Sequence, residues 1–144
     1  MAKTHMDKTL TALAGEFLVA GHLCLKGYMA SLTLKNYPAV DIFCLNPDNE
    51  KQAAIQVKTI RSGAQYYIPE NIESKDTPFI FVRIKSDADV EFFIVPAKDV
   101  ARLSAQERDD YLRTHPKAKR EKPRMINTKS LEPYKNKWDY LRLD

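Results

Sequence analysis

Cysteine is scarce in this chain: Cys24 and Cys44 are its only two, and neither belongs to a CxxC pair. A zinc centre needs three or four ligands at short spacings, so both read as free, buried thiols. Glycine is scarcer than proline, four against eight, and nothing in the composition suggests extensive disorder. No apolar run approaches the roughly 20 residues that span a bilayer. No charged start followed by an apolar stretch and a small-residue cleavage site stands at the N-terminus. Residence in the cytoplasm, with no membrane partner and no organic cofactor, is expected. The three histidines, His5, His22 and His115, are scattered, none with a plausible Ser or Cys partner. They read as structural or exposed.

The chain does carry a polarised charge. Its net charge is +4 over 144 residues, a length that suits one domain, residues 1–144, around one core. Between Arg113 and Lys137 nine lysines and arginines face two glutamates, which leaves the rest of the chain mildly acidic. Such a segment is either a solvated loop or a surface for the phosphate backbone of nucleic acid, where clustered cations release condensed counterions. Lys117, Lys119, Arg120, Lys122 and Arg124 are its candidate contacts, with Arg61 and Gln65 further upstream.

Leu10, Leu13, Ala14, Phe17, Leu18, Gly21 and Leu25 recur at steps of three and four, the pattern of an amphipathic helix. Asp7 or Thr9 is a candidate cap, and Gly27 a stop. Glu16 lies about 100° around that helix from Phe17 and looks sideways along its packed face. Strands are then expected over 28–34, 40–45, 53–60, 79–84 and 91–95. The turn Asn46-Pro47-Asp48-Asn49 makes the second and third an antiparallel hairpin. Ser104-Ala105-Gln106-Glu107 matches a capping box and predicts a helix to about Arg113. Residues 115–128 read as a basic connector. A final short helix is expected over 130–143, with Trp138, Tyr140 and Leu141 as anchors. The order of elements predicts an α+β fold, helices on a mixed sheet.

Within this frame three polar residues stand out. Gln56 and Lys58 share one face of an otherwise apolar strand, and the hairpin turn brings Asp41 roughly opposite them. A magnesium ion takes oxygen ligands, usually one or two carboxylates with water and phosphate oxygens. Asp41 offers a carboxylate, and Gln56 and the Val57 backbone carbonyl offer neutral oxygens. Glu16 can complete the set or accept a proton through water. Lys58 suits a position beside the developing charge on phosphorus.

Gly15-Glu16-Phe17-Leu18-Val19-Ala20, Asp41-Ile42-Phe43 and Ile55-Gln56-Val57-Lys58-Thr59 together resemble the core signature of the PD-(D/E)XK nuclease superfamily. The resemblance is to its small members, the Holliday junction resolvase-like and Mrr-like endonuclease domains, in the Gln-X-Lys variant. It covers roughly residues 14–60. It implies a restriction-endonuclease-like core, an α/β/α sandwich-like arrangement with a central mixed sheet flanked by helices. It also implies a metal-dependent endonuclease acting on DNA through Glu16, Asp41, Gln56 and Lys58, with Mg2+ or Mn2+ as cofactor and a possible homodimer. The sequence departs from the signature in two places. The proline stands three residues before Asp41, and glutamine occupies position 56, where many members carry a carboxylate. The second departure keeps an alternative open: a catalytically weak or inactive nuclease fold that binds nucleic acid.

Overall fold

A computed structural model describes residues 5–34, 39–118 and 122–144. Helix α1 (His5–Leu25) leads into five strands of one sheet: β1 (Met29–Leu32), β2 (Ile42–Leu45), β3 (Gln52–Ile60), β5 (Phe79–Ser86) and β6 (Asp89–Val95). Their order is β1-β2-β3-β5-β6. Only the β3–β5 pairing is parallel; the other three are antiparallel. The sheet is therefore mixed and flanked by helices, the α+β arrangement expected. The β2–β3 hairpin forms with Ile42 opposite Ile55 and Leu45 opposite Gln52. A second, two-stranded ribbon pairs β4 (Gln65–Tyr67) with β7 (Met125–Asn127), and helix α2 (Ala97–Thr114) lies beside it.

Each face of the sheet carries its own core. Ile42, Cys44, Ile55, Val57, Ile80, Val82, Phe92 and Ile94 gather with Val19 and Leu23 of α1. Phe79, Phe81, Phe93 and Val95 point the other way, against Tyr66, Val100, Ile126 and Leu131. The paired halves 79–82 of β5 and 92–95 of β6 are thus buried on both faces, and these stretches are correspondingly apolar without alternation. Tyr66 resolves its polar end by donating from its hydroxyl to the Val82 carbonyl, 2.9 Å away.

Cys44 is buried as expected, but Cys24 is exposed. α1 begins before Asp7 and Thr9, so neither caps it. Its buried line is Gly15, Val19 and Leu23, whereas Leu10, Phe17 and Leu25 are exposed. The helix packs along a narrow i, i+4 stripe, and a glycine marks its closest approach. The stop holds: Gly27 takes φ +95, which a glycine enters without steric cost. α2 starts at Ala97, directly after Pro96, seven residues before the Ser104 box. Ser104 is buried inside the helix and donates to the Ala101 carbonyl, 3.1 Å away. Proline sets the boundary because it lacks the N–H that a helix start does not need. Part of the basic connector is β7. The C-terminal helix is two 3-10 segments, Thr128–Tyr134 and Trp138–Leu141; Pro133 lies inside the first and cannot supply an α-helical N–H. Leu141 is a buried anchor and Trp138 packs on the α1-side core, whereas Tyr140 is exposed. Leu143 is buried too, and its carbonyl accepts from the side-chain amides of Asn46 and Asn49.

Candidate active site

β2 ends its pairing with β3 at Ile42–Ile55, while β3 runs on for five more residues. Asp41 stands at this step in the sheet. Its backbone N–H donates to the Ile55 carbonyl (2.8 Å), and its carbonyl accepts from the Thr33 N–H (2.9 Å). Its carboxylate Oδ2 accepts from the Val57 N–H at 2.7 Å. The side chain thus takes the place of the missing strand partner. Ala39, just upstream, holds a left-handed backbone at φ 65, a conformation that costs a non-glycine residue about 1 kcal/mol or more.

The N–H and C=O of one strand residue point to the same edge. The Val57 carbonyl therefore lies on the edge where Asp41 sits, and the Gln56 N–H points to the other edge, donating to the Pro78 carbonyl (3.0 Å). Gln56 and Lys58 share the face opposite Ile55 and Val57, as alternation requires. Lys58 and Asp41 are close enough for their charges to act on each other. Burial pushes the Asp41 carboxyl above its ordinary range, and the Val57 N–H and the Lys58 ammonium pull it back. Burial pulls the Lys58 ammonium below its ordinary range, against the attraction of Asp41.

Glu16 reaches the same place from α1. With Asp41, Lys8, Thr33 and Leu34 it lines a cavity of about 360 Å³. Gln56 and Lys58 do not line this cavity; of the two, Lys58 is the one whose charge acts on Asp41. α1 can carry Glu16 so near because Gly15 lies directly against Thr59 of β3: a Cβ at position 15 would stand 1.7 Å from the Thr59 Oγ1.

Gln56 Oε1 is buried with no hydrogen-bond partner. Such an orphan costs about 1–3 kcal/mol and calls for a partner of another kind. Among the described residues no three His, Cys, Asp or Glu side chains are grouped to hold a metal. A hard divalent cation is satisfied by mixed oxygen donors. Two carboxylates, an unsatisfied amide oxygen and a strand-edge carbonyl are the kinds of donor such an ion takes.

No protein-family model and no curated protein sequence matches the chain. Among solved structures, Hjc, a Holliday junction resolvase of the archaeal hyperthermophile Archaeoglobus fulgidus, aligns with a TM-score of 0.56 at 15% identity, over 90% of this chain and 93% of that one. The chain has a restriction-endonuclease-like fold. A bacterial homing endonuclease aligns with a TM-score of 0.48 at 13% identity, over 69% of each chain.

Elsewhere on the restriction-endonuclease-like fold, the candidate nucleic-acid contacts separate. Arg61 and Gln65 are exposed beyond the end of β3 and on β4, and Lys117 is exposed after α2. The Lys122 ammonium sits over the Tyr111 ring, 3.1 Å from its centroid. Arg124 departs from its expected role: it is buried and paired with Glu73, so it braces β7 against the 3-10 turn Ile72–Ser74. Lys119 and Arg120 lie outside the described residues, as does Pro38. Lys8 and Thr33 entered the cavity unannounced, since neither belongs to a recognisable motif.

Proposed function

We propose that this chain, acting as a single nuclease-like domain in the cytoplasm, is a metal-dependent endonuclease that hydrolyses DNA phosphodiester bonds. The observation that carries this reading is the Asp41 carboxylate clamped on the Val57 N–H beside Lys58 and the orphaned Gln56 Oε1. Asp41, Gln56, the Val57 carbonyl and Glu16 would hold Mg2+ or Mn2+. When bound, such an ion lowers the pKa of a coordinated water and offsets charge on the phosphate.

The chain's own groups supply the rest. The Val57 N–H fixes one oxygen of Asp41 and leaves the other for a ligand. Lys58, half-buried, presents its charge where it counts for more than in water, and stabilises the negative charge that develops on phosphorus. Glu16, on the opposite wall from the strand, accepts a proton through water. Arg61, Gln65 and Lys117 are exposed and contact the backbone of the nucleic acid. The resemblance to Hjc adds four-way DNA to linear and flapped DNA as candidate substrates.

A second reading, a nucleic-acid binding protein with a weak or silent centre, is favoured by Gln56, a neutral side chain where a carboxylate would draw in the metal. One substitution addresses both. Gln56→Glu is expected to tighten Mg2+ binding about tenfold by calorimetry, about 1.4 kcal/mol, because it puts a negative charge where a neutral amide oxygen now stands. An unchanged affinity would mean that position 56 does not face the ion.

A further inference from the structure

A larger cavity, about 580 Å³, opens on the sheet some distance from Asp41. Its walls come from the start of β3 (Ala54), the segment before β5 (Lys75, Asp76, Pro78), the first turn of α2 (Lys98) and the end of the last 3-10 segment (Tyr140, Arg142). Three cations and one carboxylate converge there from segments far apart in sequence. Among the described residues, the side chains of Lys75, Lys98 and Arg142 have no ion-pair partner. Other cations are engaged by carboxylates: Arg83, Lys85 and Lys135 lie around Glu91, and Arg108 is on Glu70. The first turn of α2 adds the partial positive charge of a helix start.

We propose that this cavity is a phosphate-binding subsite that holds the nucleic-acid strand beside the cut. The proposal rests on the nuclease reading and extends it to residues 75, 98 and 142. Two features tie the cavity to the centre. Ala54 shares its face of β3 with Gln56 and Lys58, and the four residues from Lys58 to Ala54 span about 13 Å of strand. Pro78, in the cavity wall, accepts the Gln56 N–H. At about 3.4 Å of rise per nucleotide, a strand whose reacting phosphate lies at Lys58 carries the phosphates about four nucleotides away to the cavity of Lys75, Lys98 and Arg142. Three separated cations around an open cavity suit successive phosphates of one chain, with Asp76 keeping the surplus at two charges. The exposed Tyr140 supplies a ring face for a base.

The test is binding of labelled duplex DNA and four-way DNA, read by fluorescence anisotropy in EDTA across a salt series, with wild type and the triple variant Lys75→Ala, Lys98→Ala, Arg142→Ala. The variant is expected to bind at least about tenfold more weakly at low salt. Its slope of log affinity against log salt is expected to fall by about two to three, near 0.9 for each phosphate that no longer meets a cation. Lys75→Arg with Lys98→Arg, which keeps both charges, is expected to bind as wild type does. Thermal unfolding of the triple variant within about 2 °C of wild type shows that loss of binding is not loss of fold. Equal affinity and slope in wild type and triple variant overturn the subsite and leave the nuclease reading standing. Pyrophosphate bound by wild type and lost by the triple variant, with DNA affinity unchanged, also overturns it, since the cavity then takes a small anion only. Wild type that binds no DNA at any salt sinks the nuclease reading and the subsite together.

Discussion

Asp41→Ala is expected to reduce metal-dependent DNA cleavage by at least about a thousandfold, about 4 kcal/mol of transition-state stabilisation, with DNA affinity in EDTA changed by less than about threefold. The substitution removes the one carboxylate that the step between β2 and β3 presents at the strand edge. It also leaves the half-buried Lys58 without its counter-charge. Loss of fold is not the expected cause. Burial raises the Asp41 carboxyl in the folded protein above its ordinary value of 3.8. The folded state therefore favours the protonated acid, and its contribution to stability is lost as pH rises through the raised value. At neutral pH the ionised carboxylate is held at some cost to stability, so the fold does not depend on its charge. Asp41→Asn separates charge from shape. Its amide oxygen can still accept the Val57 N–H, so it is expected to unfold like wild type and to cleave as poorly as Asp41→Ala. Cleavage by either variant at the wild-type rate would remove Asp41 from the chemistry.

Gly15→Ala is the second large effect, and it is an effect on stability. In an ordinary helix interior alanine is better than glycine by about 1 kcal/mol. Here the added methyl meets Thr59: its oxygen at 1.7 Å, its Cβ at 2.8 Å and its Cγ2 at 2.9 Å. The Thr59 Cβ is fixed to the β3 backbone, so rotating its side chain relieves only part of the overlap, and α1 must move off the sheet. Overpacking of this kind costs about 1–3 kcal/mol, and the upper end applies where backbone must shift. The clash exceeds the gain in propensity. The expected net loss is about 2 kcal/mol, a fall in Tm of roughly 6 °C, with cleavage lowered as well because Glu16 moves with the helix. Thr59→Ala removes the nearest atom and is expected to recover part of the loss when combined with Gly15→Ala. A higher Tm for Gly15→Ala would show that propensity decides at this position, and that the helix does not sit so close.

The sequence shows the site more clearly than the packing around it. Asp41, Gln56 and Lys58 were legible because a two-residue alternation and a short turn are local rules, and the hairpin register falls within a residue of what the turn implies. The strands of the main sheet were legible for the same reason. α1 was legible as a helix but not as a packed face, because Gly15 contributes no hydrophobicity and makes the closest contact, whereas Phe17 scores highly and is exposed. The start of α2 was masked by Ser104, whose capping pattern is local, whereas its burial depends on the β4–β7 ribbon packed nearby. That ribbon pairs residues some 60 apart, beyond any local pattern. Arg124 looked like one cation in a basic run until tertiary structure supplied Glu73. Lys75, Lys98 and Arg142 lie in three separate segments, and only the fold brings them to one cavity.

If the carboxylate at the sheet step and its neighbours form a metal-dependent hydrolytic centre, the protein cuts DNA only with a divalent ion. The most direct measurement is cleavage of labelled linear, flapped and four-way DNA by the wild-type protein, in Mg2+, in Mn2+ and in EDTA. Cutting of at least one of these DNAs is expected in Mg2+ or Mn2+, and none in EDTA. Intact DNA in every lane, with no Mg2+ or Mn2+ binding by calorimetry, would contradict it and leave a nuclease fold without a nuclease's chemistry.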